Sequence, residues 1–149
     1  MTTSALKKYE KHLKILAETM KLRLIITENV DSWKFYVMDS LLIEINPSLG
    51  KEHHLFEINF FPIVSFDVSD RILIEQVVGN ANRKIGHHND QLFLSDSSIV
   101  INRIIKLNGN DPYGITKLLS HLYSLTTKSL FTADSILKQV EKQKTFSLN

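Results

Sequence analysis

The most restrictive stretch of this chain lies at its centre. Ile74, Val77, Val78, Ala81 and Ile85 recur at i, i+3, i+4, i+7 and i+11, one stripe of a helical period, and on both sides the apolar residues switch to alternation. A helix over Ser69–Gly86, set between two blocks of strands, is the reading that satisfies both periods. Ser69 or Asp70 is placed to cap it and Gly86 to end it. Ile72 and Leu73 make its apolar face wider than one sheet requires, and Gly79 sits mid-helix at a cost of about 1 kcal/mol relative to Ala. Either the helix is buried with a tolerated glycine, or it packs on its own sheet and also on a second copy of the chain.

The flanking segments follow from the same periodicities. Leu6, Tyr9, Leu13, Leu16 and Met20 form a helical stripe with Lys and Glu on the other sides, which predicts an amphipathic first helix. Alternation then predicts strands over Leu22–Thr27, Trp33–Met38, Leu41–Asn46 and Leu55–Phe61, with a loop at Pro47–His54 and an interruption at Pro62. After the central helix, a His87–Asp90 loop leads to a hairpin of Gln91–Ser95 with Ile99–Leu107. Asp111-Pro112 opens a last helix bearing Ile115, Leu118, Leu119, Leu122 and Leu125. Weak propensity across Ser124–Thr127 predicts a break, with a separate short helix capped by Thr132 or Asp134 and a frayed tail over about 143–149. The order predicts an α+β fold in one domain, 1–149: helix, mostly antiparallel twisted sheet, middle helix, β-hairpin, C-terminal helix.

Composition narrows the function classes. With 149 residues, 43% of them hydrophobic, the chain has enough apolar material for a core without staples. It has 0 cysteines, hence no disulfide framework and no thiolate chemistry. Lys7, Lys8, Glu10, Lys11 and Lys14 interrupt what would be the apolar core of a signal peptide, and no apolar run reaches the ~18 residues of a membrane span, so a cytoplasmic location is expected. A net charge of +2 with both signs mixed is far from the concentrated basic face of a nucleic-acid binder, even if Arg71, Arg83, Lys84, Arg103 and Lys106 gather on one side and Trp33, Phe35 and Tyr36 are available to stack bases.

Catalytic and ligand motifs are sparse. His53-His54 and His87-His88, flanked by Glu52 and Asp90, carry metal-ligand chemistry, but adjacent loop imidazoles rarely converge on one ion; solvated histidines and no metal are expected. G-x-S-x-G is absent, and the 5 glycines, at 50, 79, 86, 109 and 114, fit neither the P-loop nor the dinucleotide pattern, so no cofactor is expected. Glu44 and Glu57 would make an acid–base pair if they converged; alternation instead predicts solvent-facing carboxylates.

Several stretches carry a family resemblance: WKFYVMD and LLIEIN as paired strands, LFEINFFPI leading to the middle helix, IEQVVGNANRKIG, the hairpin QLFLSDSSIVINRIIKLNG, and DPYGITKLLSHLYSL opening the last helix. In order and pattern the chain resembles the class I effector chaperones of bacterial type III secretion systems. That resemblance implies a non-enzymatic cytoplasmic homodimer that holds the N-terminal segment of a secreted effector extended. It places Ile74, Val77, Val78 and Gly79 at the dimer interface and Leu13, Leu16, Ile25, Phe35 and Val37 among the client-facing residues. An extended client would add backbone hydrogen bonds at a sheet edge. Members of that family are typically acidic, whereas this chain has a pI near 8.8; this implies an acidic client, or a related group binding a folded partner in a regulatory or immunity role.

Overall fold

A computed structural model describes residues 3–27, 32–61, 66–84, 90–95 and 98–147. Helix α1 (Thr3–Met20) buries Tyr9, Leu13, Leu16 and Ala17, the stripe its sequence spells out. It ends in a Schellman turn made without glycine: Lys21 takes φ 57°, its N–H bonds Glu18 O at 3.2 Å, and Leu22 N–H bonds Ala17 O at 2.8 Å. The chain then lays down β1 (Arg23–Thr27), β2 (Ser32–Val37), β3 (Ser40–Leu49) and β4 (His53–Phe60). A 3₁₀ turn (Val68–Asp70) leads into α2 (Arg71–Lys84), followed by β5 (Asp90–Ser95), β6 (Ser98–Asn108) and α3 (Gly114–Ser147). This is the α+β layout that the periodicities predict.

The six strands form one sheet in the order β1-β2-β3-β4-β6-β5, every neighbouring pair antiparallel. Alternation along a strand sends every second side chain to the same face. The registers Trp33↔Ile45↔Ile58 and Phe35↔Ile43↔Phe60↔Ile101↔Leu92 therefore collect the large apolar residues on one side. All three helices lie on that side, joining the same buried cluster through Leu13 and Leu16, through Ile74, Val77 and Val78, and through Leu118, Leu122, Leu125, Ile136 and Val140. Asp70 pairs with Lys144 at 2.6 Å, so α2 starts beside the end of α3.

Three local expectations are corrected. Pro47 to Leu49 continue β3 instead of forming a loop, because β2 pairs with β3 only from Ser40 to Ile45; Pro47 lies past the end of β2, where its missing N–H serves no strand. His53 and His54 likewise belong to β4, not to a loop. The final helix is continuous over 34 residues, about 50 Å. Thr126 and Thr127 return their hydroxyls to the carbonyls of Leu122 and Tyr123, at 2.8 and 3.3 Å, and Leu125, Ser129, Ala133 and Ile136 carry the buried stripe through the weak stretch. Packing outweighs propensity there, and the helix runs on to Ser147, past the expected start of fraying, with Lys144 paired to Asp70. The expected ends of the central helix, Ile85 and Gly86, lie outside the described residues.

Candidate protein-binding face and its edges

With the helices on one side, the other side of the sheet has no described helix over it. Its central row runs Ile25↔Lys34↔Glu44↔Asn59↔Asn102↔Gln91 across all six strands. Glu44 lies 3.8 Å from Lys34 and accepts from the amides of Asn46 and Asn59, at 3.2 and 3.3 Å. The Asn59 carbonyl accepts from Asn102 at 2.8 Å, and its amide also reaches Glu57 at 3.5 Å. Glu44 and Glu57 thus converge on one asparagine amide, within a hydrogen-bonded ladder. Ile25 at the end of this row, and Leu55, Phe93 and Ile104 around it, stand exposed. A face of this kind offers hydrogen bonds with apolar side chains spaced between them.

The two edges of the sheet differ. On β5, the N–H and C=O of Leu92 both turn away from β6, and the side chain of Asn82 from α2 meets them: Nδ2 donates to the carbonyl at 2.9 Å and Oδ1 accepts from the N–H at 2.8 Å. One asparagine amide imitates one residue of a further strand and occupies that edge at Leu92. At the opposite edge β1 pairs, among the described residues, with β2 alone. Leu24 and Ile26 are half-buried on the helix side of this free edge, and Ile25 is 40% exposed on the other side.

The residues singled out in the sequence separate accordingly. Leu13, Leu16 and Phe35 are corrected from client-facing to core: they are 1%, 6% and 0% exposed, packed between sheet and helices. Ile25 keeps its place on the surface, and Val37, at the end of β2, is half-buried. Ile74, Val77 and Val78 face their own core, so they are corrected from an intermolecular contact to an intramolecular one. Gly79 is half-buried, and a Cβ built on it would meet nothing within 4 Å. The outward stripe of α2 is instead Ile72, Gln76, Gly79 and Arg83. His53 is exposed; His54 is buried, contrary to a solvated loop histidine; His87 and His88 lie outside the described residues. Among the described residues no group of His, Cys, Asp and Glu is arranged to hold a metal ion.

Sequence reading also missed a buried ion cluster. Asp90, read as loop, is 4% exposed on the helix side, where Arg103 binds it through two nitrogens, at 2.5 and 2.8 Å, and Lys128 of α3 adds a third contact at 2.6 Å. Burial pushes this carboxyl up, but the hydrogen bonds and charges of Arg103 and Lys128 outweigh it and hold the pKa at about 2. Arg103 also donates to His121 Nδ1 at 3.2 Å, and burial, together with that guanidinium charge, keeps the imidazole below its usual pKa. The signal for the pair was its register, Asp90↔Arg103, which needs the β5–β6 turn to be placed first. Arg103 is thereby withdrawn from any surface cation patch. No described helix is long and apolar enough to cross a membrane. Compared with models of protein families, with curated proteins and with solved structures, the chain finds no match.

Proposed function

We propose that this protein is a non-enzymatic binding protein that takes an extended segment of a partner as an added strand on β1. The observation that carries this reading is the asymmetry of the two edge strands: Asn82 occupies the outer edge of β5 at Leu92, while no described side chain is bonded to the outer edge of β1 in this way. A segment docked there gains backbone hydrogen bonds. Its alternate side chains meet Leu24 and Ile26 on one side and Ile25 on the other. Each client side chain fully covered contributes about 1.5–3 kcal/mol, less the cost of ordering the segment. This is the chemistry of the secretion chaperones that the sequence resembles, and by that resemblance the client is the N-terminal segment of a secreted bacterial protein, held in the cytoplasm. The homodimer of that reading moves to the outward stripe of α2, where Gly79 leaves space for a second backbone beside Ile72, Gln76 and Arg83.

The test is capture of the client by the tagged protein from its native host, followed by hydrogen exchange on the complex. The expected result is one secreted protein bound through its N-terminal segment, with new protection at the amides of Arg23–Thr27. Protection confined to α3, with β1 unchanged, would mean a folded partner on a helix surface and would remove the strand-addition reading.

A further inference from the structure

Where α1, β4 and the start of α3 meet, the surface holds a cavity of about 270 Å³, away from the β1 edge. Tyr9 Oη and His54 Nδ1 lie 2.9 Å apart at its wall, and the two residues are only 6% and 8% exposed. Burial raises the Tyr9 pKa, with the Asp111 charge adding to it, and burial lowers that of His54, so phenol and imidazole are both uncharged at neutral pH. Between two neutral groups the phenol is the better acid and donates to Nδ1, which leaves the ring proton on Nε2.

That second nitrogen has no hydrogen-bond partner among the described residues, and it is not sealed from solvent, since no described side-chain nitrogen or oxygen is both buried and unpaired. Gly109 makes the room beside it: a Cβ there would stand 3.1 Å from Nε2. Lys8, whose side chain ends in an ammonium, lines the same cavity, and Pro112 and Ile115 supply apolar wall. Asp111, the one carboxylate lining it among the described residues, is already engaged by Lys117 and by the Tyr113 N–H. The groups left to serve a ligand are an N–H donor, a cation and a short apolar surface, in a space smaller than a drug-sized site.

We propose that this cavity binds a short-chain carboxylate, with its oxygens on His54 Nε2–H and the Lys8 ammonium and its alkyl end against Pro112 and Ile115. A free acid and the C-terminal carboxylate of a peptide share this chemistry. The experiment is an NMR titration of the full ¹⁵N-labelled chain with butyrate and, separately, with N-acetyl-Ala-Leu; butyramide and the C-terminal amide of that dipeptide serve as controls.

Saturable shifts of His54 and of the Gly109 amide are expected with at least one acid, with His54 in the Nε2–H tautomer and the exposed neighbour His53 unmoved. Saturation by butyrate identifies a free acid as sufficient, and saturation by the dipeptide alone identifies a peptide terminus. Gly109→Ala, which sets a methyl against Nε2, should weaken binding by roughly tenfold or more, and Lys8→Gln, an exposed change that leaves the fold intact, by several-fold. No saturation by either acid, equal binding of the amides, an Nδ1–H tautomer, or undiminished binding in both variants overturns the proposal.

Discussion

A buried carboxylate is tolerated only where cations reach it, and Asp90 has two of them. Asp90→Asn would leave Arg103 and Lys128 facing a neutral amide, and we expect it to cost about 3 kcal/mol in urea unfolding. The acid response follows with its sign. Because the folded pKa is depressed from 3.8 to about 2, the ionised pair stabilises the fold by about 2 kcal/mol above pH 4, and that contribution is lost as pH falls toward 2. His54 and His121 act earlier in an acid titration: both hold their folded pKa below 6.5, so the unfolded chain takes up protons first and stability declines as pH drops through 6. Urea midpoints across pH 7 to 2 should show both phases in the natural protein, and Asp90→Asn should lack the lower one. At this scale little was legible. The partners of Asp90, His54 and Asn82 come from other elements, 10 to 45 residues away, and no local pattern marks them.

At the scale of elements the sequence was far more informative, because apolar periodicity is the quantity that burial selects. The stripe of α1, the alternation of β2 and the order of strands and helices are all present in the letters. What failed were breaks inferred from weak propensity. Pro47 and the Ser124–Thr127 stretch look like interruptions until their neighbours are known, and then one lies past the end of β2 and the other inside a packed helix. The same dependence on neighbours governs the edge clamp. Asn82→Ala should lose two hydrogen bonds to Leu92, destabilise the chain by about 1–2 kcal/mol, and leave β5 free to pair with other molecules. Light scattering during mild heating should therefore register aggregation well before it does in the natural protein. A variant that melts earlier without aggregating would mean that Asn82 anchors α2 but does not protect the edge.

Taken as one molecule, the protein separates three surfaces that carry different expectations: the β1 edge, the outer stripe of α2 and the cavity beside His54. The residues that the sequence assigned to partners fell mostly inside, since the largest apolar side chains are the ones a chain of this size needs for its own core. Only substitutions on exposed positions can therefore tell binding from folding. Val78→Asp would unfold the chain whatever its oligomeric state, because Val78 is 6% exposed. Ile25→Lys places a charge on the free edge at a side chain already 40% exposed, so unfolding should shift by less than about 0.5 kcal/mol while client capture is lost. Ile72→Asp alters a residue 74% exposed on α2 and should convert the proposed dimer to monomers, each still able to take the proposed strand on β1. Light scattering and client capture on the two variants separate the surfaces. A dimer without client for Ile25→Lys, and a client-binding monomer for Ile72→Asp, would place the two activities on opposite sides of the fold. Capture undiminished by Ile25→Lys would instead put the client off β1, leaving the exposed Tyr123, Leu130 and Phe131 of α3 as the surface to test next.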